Sequence, residues 1–397
     1  LLHQWLILQA CRIPYLPNLL GPLLRVSHAL HLDPITHWVL SQTAFSHFCG
    51  GRTPQDTLPL MNTLASHGVF TILDLGIETD PAEETSTEMG EDRADMVANG
   101  IIQAIRTAKD QPETMVALKV SALTSLPDHL VRWSDGLREA RRRFHSLATH
   151  PAPSKDQAAS PLDITSSILN SHRRISKLCD EAAAASPSSP SVPLLMDAEY
   201  SSVQPAIRHL TLLLSQTYNA LGPQPLVYDT LQMYLREGPL VLTESAEDAM
   251  RDNRPYAVKL VRGAYVARER RDAEAEGRPD RVWASKALTD AAYDGASSWL
   301  LSRSADTPGS THTVLATHNA RSIAQSLDAA SSVSSAAPSP YMAYAQLLGM
   351  GELVTARLRQ RGARVGKYVV YGEVSDLVPY MVRRVEENAE GVQGGGD

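Results

Sequence analysis

The chain has 397 residues, 43% of them hydrophobic and 20% charged, with a formal net charge of −7. That length suits two or three average domains or one large α/β barrel with extra helices, and the apolar fraction fills a core, which excludes a disordered polymer. Acids exceed bases, which excludes a broad basic surface for nucleic acid. Cys11, Cys49 and Cys179 are too few and too far apart for a disulfide framework or a CxxC metal site, so a reducing compartment fits best.

Residues 1–68 read as a helical arm, because stretches such as LLRVSHALHL and QDTLPLMNTLASHG repeat apolar residues every three or four positions. No strand is predicted before Val69. No apolar run in the chain reaches the roughly 18 residues that would span a bilayer. The chain opens at Leu1, which reads as a fragment or processed form with any targeting peptide upstream. His28, His31 and His37 stand in this arm without a partnered HExxH-type motif, so no metal site is expected.

From Val69 the pattern changes to short apolar runs rich in β-branched residues, each followed by a polar turn and an amphipathic segment. The runs are VFTILDLG, MVALKVSAL, VPLLMDAEY, PLVYDTLQ, YAVKLVRGAY, HTVLATHN, YMAYAQLLG and RVGKYVVYG. Buried parallel strands read as continuous apolar runs because both faces are covered. Eight of them alternating with helices predict an α/β fold of the (β/α)8 TIM-like class over residues 69–390. After the third run, Val203, Ala206, Ile207, Leu210, Leu213 and Leu214 share one helical face, and Pro205 suits the first turn. Two stretches break the rhythm. Asp80 to Asp95 is acidic with little apolar content, and about 147–193 contains PAPSKDQAASP and AAAASPSSPSVP, predicting an insertion between the second and third strands with flexible linkers around a helical middle, LDITSSILNSHRRISKLCDEA. Residues 391–397 are expected to be a disordered tail.

In such a barrel, chemistry belongs at the C-terminal strand ends. The polar residues there are Lys119, Ser121, Asp197, Glu199, Gln232, Lys259, Arg262, Tyr265, His318, Asn319, Tyr368 and Tyr371. Any one of them is explained as a loop salt bridge or a cap; their joint occurrence on one rim is not. In the last helix Val374, Leu377, Val378, Met381 and Val385 make an apolar stripe, while Tyr380, Arg383, Arg384 and Glu387 share another face. Spacing alone fits a solvated face. The sharper expectation is an anion clamp, in which paired guanidinium groups bind a carboxylate and the glutamate orients one of them. No GxGxxG, GxxxxGK[ST] or GxSxG motif is present, so neither a Rossmann site, a P-loop nor a nucleophile elbow is supported.

The segments FSHFCGGRTPQD, GVFTILDLGIE, MDAEYSSVQPAI, YDTLQMYL, KLVRGAYVARER, LATHN, QLLGMGE and KYVVYGEVSDLVPYMVRRVEEN together resemble proline dehydrogenase, in its fungal mitochondrial form, from about Phe45 to Asn388. The resemblance implies FAD-dependent oxidation of L-proline to Δ1-pyrroline-5-carboxylate, with ubiquinone as acceptor and a peripheral place on the matrix side of the mitochondrial inner membrane. It implies that Arg383, Arg384 and Lys119 bind the substrate carboxylate and that Tyr368 and Tyr380 close over the ring. Leu347 and Tyr265 complete the pocket, Asp197 is the site aspartate, and Glu387 orients an arginine. Gln232, Lys259, Val261, Gly263, Lys286 and His318 match positions that contact FAD. Hydroxyproline dehydrogenases of the same family carry a smaller residue where this chain has Tyr368, which argues for proline. Two departures stand out: Ser201 and Ser202 replace a bulkier stretch, and Ala284 stands where a threonine near the flavin is common. A rival from other chemistry is a barrel enzyme in which Lys119 or Lys259 forms a Schiff base.

Overall fold

A computed structural model of the chain describes residues 27, 29–77, 87–146, 161–184, 191–220, 224–333 and 339–393. Among these the strands are β1 (Cys49–Gly51), β2 (Val69–Leu75), β3 (Met115–Leu118), β4 (Leu194–Met196), β5 (Val227–Gln232), β6 (Tyr256–Val261), β7 (Thr311–Ala316), β8 (Met342–Leu347) and β9 (Val365–Tyr371). β2 to β9 pair in sequence order, all parallel, and β9 returns to β2 with Val69 opposite Val365 and Leu75 opposite Tyr371, which closes the barrel. All eight predicted strands form, and the (β/α)8 class is the one observed.

Because side chains alternate between strand faces, each run supplies two sets of apolar residues. The inward set includes Phe70 and Ile72 of β2, Met115 and Ala117 of β3, Leu195 of β4 and Tyr228 of β5, which pack together inside the barrel. The outward set, such as Leu73, Val116, Leu118 and Val369, meets the helices. Gly366 of β9 lies where any Cβ would come within 2.4 Å of the Phe70 ring, so the interior accommodates that ring only because the facing residue has no side chain.

The longer helices follow as α1 (Asp33–Leu40), α2 (Leu58–Ser66), α3 (Thr87–Lys109), α4 (Pro127–Ser146), α5 (Pro161–Ala183), α6 (Gln204–Tyr218), α7 (Gly238–Arg251), α8 (Val266–Ala275), α9 (Lys286–Asp306), α10 (Ala320–Val333), α11 (Glu352–Gln360) and α12 (Val374–Gln393). In α6 the buried face is Ala206, Ile207, Leu210 and Leu214, as the pattern predicts, joined by Thr211 and Ser215. Leu213 is exposed instead.

The structure corrects other expectations. A strand does precede Val69: β1 pairs with the end of β9, Cys49 opposite Val370. Its three residues, two of them glycine, carry no alternating pattern to find. Within the acidic stretch α3 begins at Thr87; its Glu91 binds Arg174 of α5, and its Asp95 accepts from Arg174 Nε at 2.6 Å. Residues 80–86 lie outside the described residues, as do 1–26, where much of the arm was expected to be helical, and the linkers 147–160 and 185–190. The helical middle of the insertion is α5, and it buries Ile168, Ile175, Leu178, Cys179 and Ala182 against the barrel. Residues 391–393 continue α12, and the rest of the expected tail is outside the described residues. Cys49 and Cys179 are buried, and burial pushes each thiol up to about 12, which makes them packing residues.

Gly366→Ala is expected to destabilise the fold by about 1–3 kcal/mol through overpacking. Adding Phe70→Leu should recover part of that loss in urea unfolding, and a double variant no better than the single would reject this account of the barrel floor.

Candidate active site

The inward parity of the strands continues upward from the apolar interior. Two residues beyond Ile72, Ala117, Leu195 and Ala257 stand Asp74, Lys119, Asp197 and Lys259, and two beyond Gly366 stands Tyr368. The layer at the C-terminal mouth is therefore ionic where the layers beneath it are apolar, and it lies where barrel enzymes place their chemistry.

These side chains form one connected cluster. Lys119 Nζ donates to both oxygens of Asp74, at 2.8 and 2.7 Å, and lies 4.0 Å from Asp197 Oδ2. Lys259 Nζ donates to Asp197 Oδ1 and sits 5.1 Å from the centre of the Tyr368 ring. The Tyr368 hydroxyl donates to Asp197 Oδ2 at 2.6 Å. Burial alone would raise the Asp197 carboxyl, but attraction from Lys259 and Lys119 outweighs it and holds the group below the ordinary carboxylate range. Asp74 goes the other way: burial pushes it up to about 6 against the pull of Lys119, and the negative charge of Asp197 adds to the rise. Tyr368 is held well above the usual phenol value by burial and by the two carboxylates, so it acts as a hydrogen-bond donor.

The expected clamp sits on α12. Val374, Leu377 and Met381 bury its apolar stripe against Ala44, Phe48 and Val370, with Val378 and Val385 partly covered, so the N-terminal arm and β9 together hold this helix. Leu347, Tyr368 and Tyr380 belong to the same apolar cluster, which brings three expected pocket residues together. Arg384 is buried, its Nη2 is 2.5 Å from Glu387 Oε1, and its guanidinium lies 5.0 Å from the Tyr380 ring centre. The Glu387 carboxylate thus pairs with Arg384 along one face of α12. Arg384 Nε and the Tyr380 hydroxyl are buried with no hydrogen-bond partner among the described residues. Arg383 is half-buried on the adjoining face.

The residues matched to FAD contacts are placed less uniformly. Gln232 points inward and donates from Nε2 to the Glu199 carbonyl at 2.8 Å. His318 accepts the Leu347 N–H on Nε2 at 3.0 Å, and burial, with Lys367 and Arg384 nearby, pushes it down to about 4, which leaves a neutral ring protonated on Nδ1. Val261 ends β6 and accepts the Met233 N–H from its carbonyl at 2.9 Å. Gly263 follows at φ +124, where an added Cβ would fall 1.7 Å from the Tyr234 ring, so only glycine lets the chain turn there. Lys286 stands apart from the cluster, with a largely exposed side chain paired to Asp290 at 2.6 Å. The other oxygen of Asp290 holds Arg262 at 2.6 Å, and Arg262 is further fixed by Thr317 and Ser322 and lies 4.3 Å over Tyr293. Arg262 is thus a brace between loops. Tyr265 packs on Tyr200 at 4.4 Å, beside the mouth and not within the ionic cluster.

Two rim residues also brace the site. Glu199 accepts the Ser121 N–H at 3.0 Å, tying the ends of β3 and β4 together. Ser201 binds Glu269 through both its N–H, at 2.7 Å, and its hydroxyl, at 2.5 Å, which gives this departure from the family pattern a structural reason. Sequence reasoning missed Asp74. The signal was available: an acid inside the apolar run VFTILDLG, at the parity of Phe70 and Ile72, is buried in the barrel unless the strand ends first.

Lys259→Met would leave the buried Asp197 carboxylate without its nearest cation, and about 3–5 kcal/mol of stability should be lost at pH 8. Loss of Lys259 raises the folded-state pKa of Asp197, so the penalty should shrink as pH falls toward 5 and the carboxyl takes up a proton. Urea unfolding at the two pH values checks this, and an equal penalty at both would show that Lys259 does not hold the Asp197 charge.

Comparison with known proteins bears on the family and the fold. The chain is 27% identical to hydroxyproline dehydrogenase from Xenopus laevis, over 98% of its own length and 82% of the relative's. It is also 27% identical to proline dehydrogenase 1, mitochondrial, from Dictyostelium discoideum, over 98% of this chain and 68% of that one. Among solved structures, proline utilization A from Bdellovibrio bacteriovorus superposes with a TM-score of 0.68 at 20% identity, covering 87% of this chain and 32% of that chain, so this chain spans about a third of that protein. That likeness bears on the fold alone. A profile described as proline dehydrogenase matches residues 59–393, from ahead of the first barrel strand through the arginine helix, and the chain therefore belongs to the proline dehydrogenase family, oxidoreductases acting on proline.

Proposed function

We propose that this chain oxidises L-proline to Δ1-pyrroline-5-carboxylate with FAD as cofactor. The observation that carries the reading is the arginine helix, held by the arm and β9, beside a mouth whose buried charges are already paired. Arg384, oriented by Glu387, and its neighbour Arg383 offer the planar, charge-assisted donors that suit one carboxylate. Arg384 Nε keeps a buried donor with no partner among the described residues, a position that a ligand oxygen would satisfy. Tyr368, Tyr380 and Leu347 supply the apolar walls for a small ring.

The residues fit FAD at the adjoining part of the mouth. Thr230 Oγ1, inward and one layer below Gln232, is buried with no partner among the described residues; Lys259 and Gln232 are inward-facing donors; and the glycine at 263 lets the backbone turn behind β6. Lys259, Gln232, the Val261–Gly263 backbone and His318 would hold the cofactor, with Lys286 at its edge. When bound, FAD supplies the two-electron acceptor for the hydride from the carbon beside the ring nitrogen. The protein's own part is to pin the carboxylate, fix the ring against the tyrosines and exclude water. The Schiff-base reading is disfavoured because Lys119 and Lys259 each commit their ammonium to a buried carboxylate, whereas an amine nucleophile needs an environment that disfavours its charge.

Relatives carrying the word mitochondrial in their names support a mitochondrial place for this chain. A peripheral position on the matrix side of the inner membrane, with ubiquinone as acceptor, is what the family resemblance implies for this chain; among the described residues no helix is long and apolar enough to cross a membrane.

Anaerobic addition of L-proline to the purified yellow protein should bleach its flavin absorbance. A colourless protein, or a spectrum unmoved by L-proline, would reject the reading. Proline and hydroxyproline dehydrogenases match this chain at the same 27% identity, so the pocket must decide between substrates. Tyr368 occupies the wall and keeps proline favoured. Tyr368→Ser should lower kcat/KM for L-proline and raise the hydroxyproline-to-proline ratio of kcat/KM; an unchanged ratio would displace Tyr368 from the ring wall.

A further inference from the structure

Lys367 is among the most deeply buried side chains of the molecule, 1% exposed, and the ionic cluster at the mouth makes no use of it. It stands on β9 opposite Gln346 of β8, one residue before the pair formed by Leu347 and Tyr368. Leu347 and Tyr368 face inward as pocket walls, so by strand parity Lys367 points to the outer face, beneath the turn that joins β8 to α11. There its Nζ donates to the Met350 carbonyl at 2.7 Å and lies 3.0 Å from Glu352 Oε1. Burial disfavours the ammonium charge, and the Glu352 carboxylate opposes that fall. Glu352 is itself 65% exposed, so a desolvated cation has here a mostly solvated counter-ion, and an apolar side chain of the same length would serve packing better.

The turn it holds has little stiffness of its own. Gly349 at φ +74 and Gly351 at φ +65 flank Met350, and glycine restricts the backbone least. Three contacts set its path. Lys367 binds the Met350 carbonyl; the Met350 side chain is buried beneath α12 with Phe48, Leu377 and Tyr380; and Gly351 packs on the His318 ring, where an added Cβ would fall 3.1 Å from Cδ2. His318 in turn accepts the Leu347 N–H on Nε2 at 3.0 Å. The pocket wall, the turn, the floor of the arginine helix and His318 are thus linked, with Lys367 at the outer end.

We propose that Lys367 is a positioning residue for the substrate pocket: from outside the barrel its ammonium fixes the turn at Met350, and through that turn the Leu347 wall and the His318 ring that binds the Leu347 N–H. The inference rests on the reading that the mouth beneath α12 takes proline. Its charge has a second effect on the same unit. Nε2 can accept the Leu347 N–H only while it carries no proton, and burial, with Lys367 and Arg384 nearby, pushes His318 down to about 4. Lys367 of β9 and Arg384 of α12 are the charges that face the ring; Glu352 of α11 stands beyond Lys367, and the His47 ring of the arm packs on Gly349. Removing one of the two cations moves the His318 midpoint upward.

The test uses the flavin-loaded protein. Lys367→Met keeps the length of the side chain and removes its donor and its charge. At pH 8, KM for L-proline should rise about tenfold with a smaller fall in kcat, because the wall touches ground and transition states alike. The calorimetric Kd of cyclopentanecarboxylate, a ring carboxylate with no amine to oxidise, should rise in parallel. Lys367→Gln keeps an N–H for the Met350 carbonyl and should recover most of that affinity. Nitrogen-15 shifts of the His318 ring, assigned with His318→Asn, should show native Nε2 unprotonated from pH 8 to 6, and a midpoint moved upward in both Lys367 variants. A loss of thermal stability with KM, Kd and the His318 titration all as in the native protein would show a merely structural lysine and overturn the proposal. If Lys367→Met does not fold, Lys367→Gln and the native titration decide, since a native ring protonated on Nε2 cannot accept the Leu347 N–H and refutes the link. Failure of L-proline to bleach native flavin would reject the catalytic reading, while the His318 titration still judges Lys367.

Discussion

One buried carboxylate organises the mouth of this barrel. Asp197 accepts from Lys259 on one oxygen and from Tyr368 on the other, with Lys119 4.0 Å away. Each of these partners comes from a different strand, so satisfying a single acid fixes the relative positions of the ends of β3, β4, β6 and β9. Charges this deep are tolerated only because each has an opposite charge and a hydrogen bond within reach. A half-paired version would cost more than an apolar mouth, which is why the cluster is best understood as a unit and not as separate contacts.

The second constraint is mechanical. The arginine helix follows β9 directly, and β9 is paired with β2 along its whole length and with β8 and then β1 along successive residues. The arm adds Ala44 and Phe48 beneath α12, so residues before the barrel in sequence secure the helix that follows it. Arg384 gains its orientation twice, from Glu387 along the same helix and from the Tyr380 ring below it. Arg384 is therefore held in place by the protein's own contacts, and a guanidinium fixed in this way is preorganised for any anion it would meet.

Much of this was legible in the sequence, and for a definable reason. Eight apolar runs between amphipathic segments betray a barrel because helices cover one face and a packed interior the other, and the rim is then found by counting to the end of each run. Lys119, Asp197, Lys259 and Tyr368 were found that way, and Arg384 and Glu387 by helical spacing. Asp74 escaped because its run continues through Leu75 and Gly76, so the acid sat inside the run and was not counted as its end; parity with Ile72 would have exposed it. β1 was invisible because Cys49-Gly50-Gly51 has neither length nor alternation. Leu213 was misplaced because apolar identity was allowed to decide its face, whereas Thr211 and Ser215 take buried places through hydroxyls bonded back to the helix. The bracing duties of Arg262 and Ser201 depend on partners far away in sequence, Ser322 and Glu269, that no local pattern announces.

Tyr368 joins what would otherwise be two separate properties of the site. Its ring belongs both to the barrel interior and to the cluster beneath the arginine helix, and its hydroxyl completes the coordination of Asp197. Volume at this position and charge balance at the mouth are therefore coupled. A smaller residue enlarges the wall near the substrate ring, but it also removes a donor from a buried carboxylate that Lys259 and Lys119 must then satisfy alone. The size of the side chain at this position cannot be changed without disturbing the charges beneath it. Family membership fixes the barrel, while the hydrogen bond from Tyr368 to Asp197 ties the volume of this side chain to the charge cluster of Asp74, Lys119, Asp197 and Lys259.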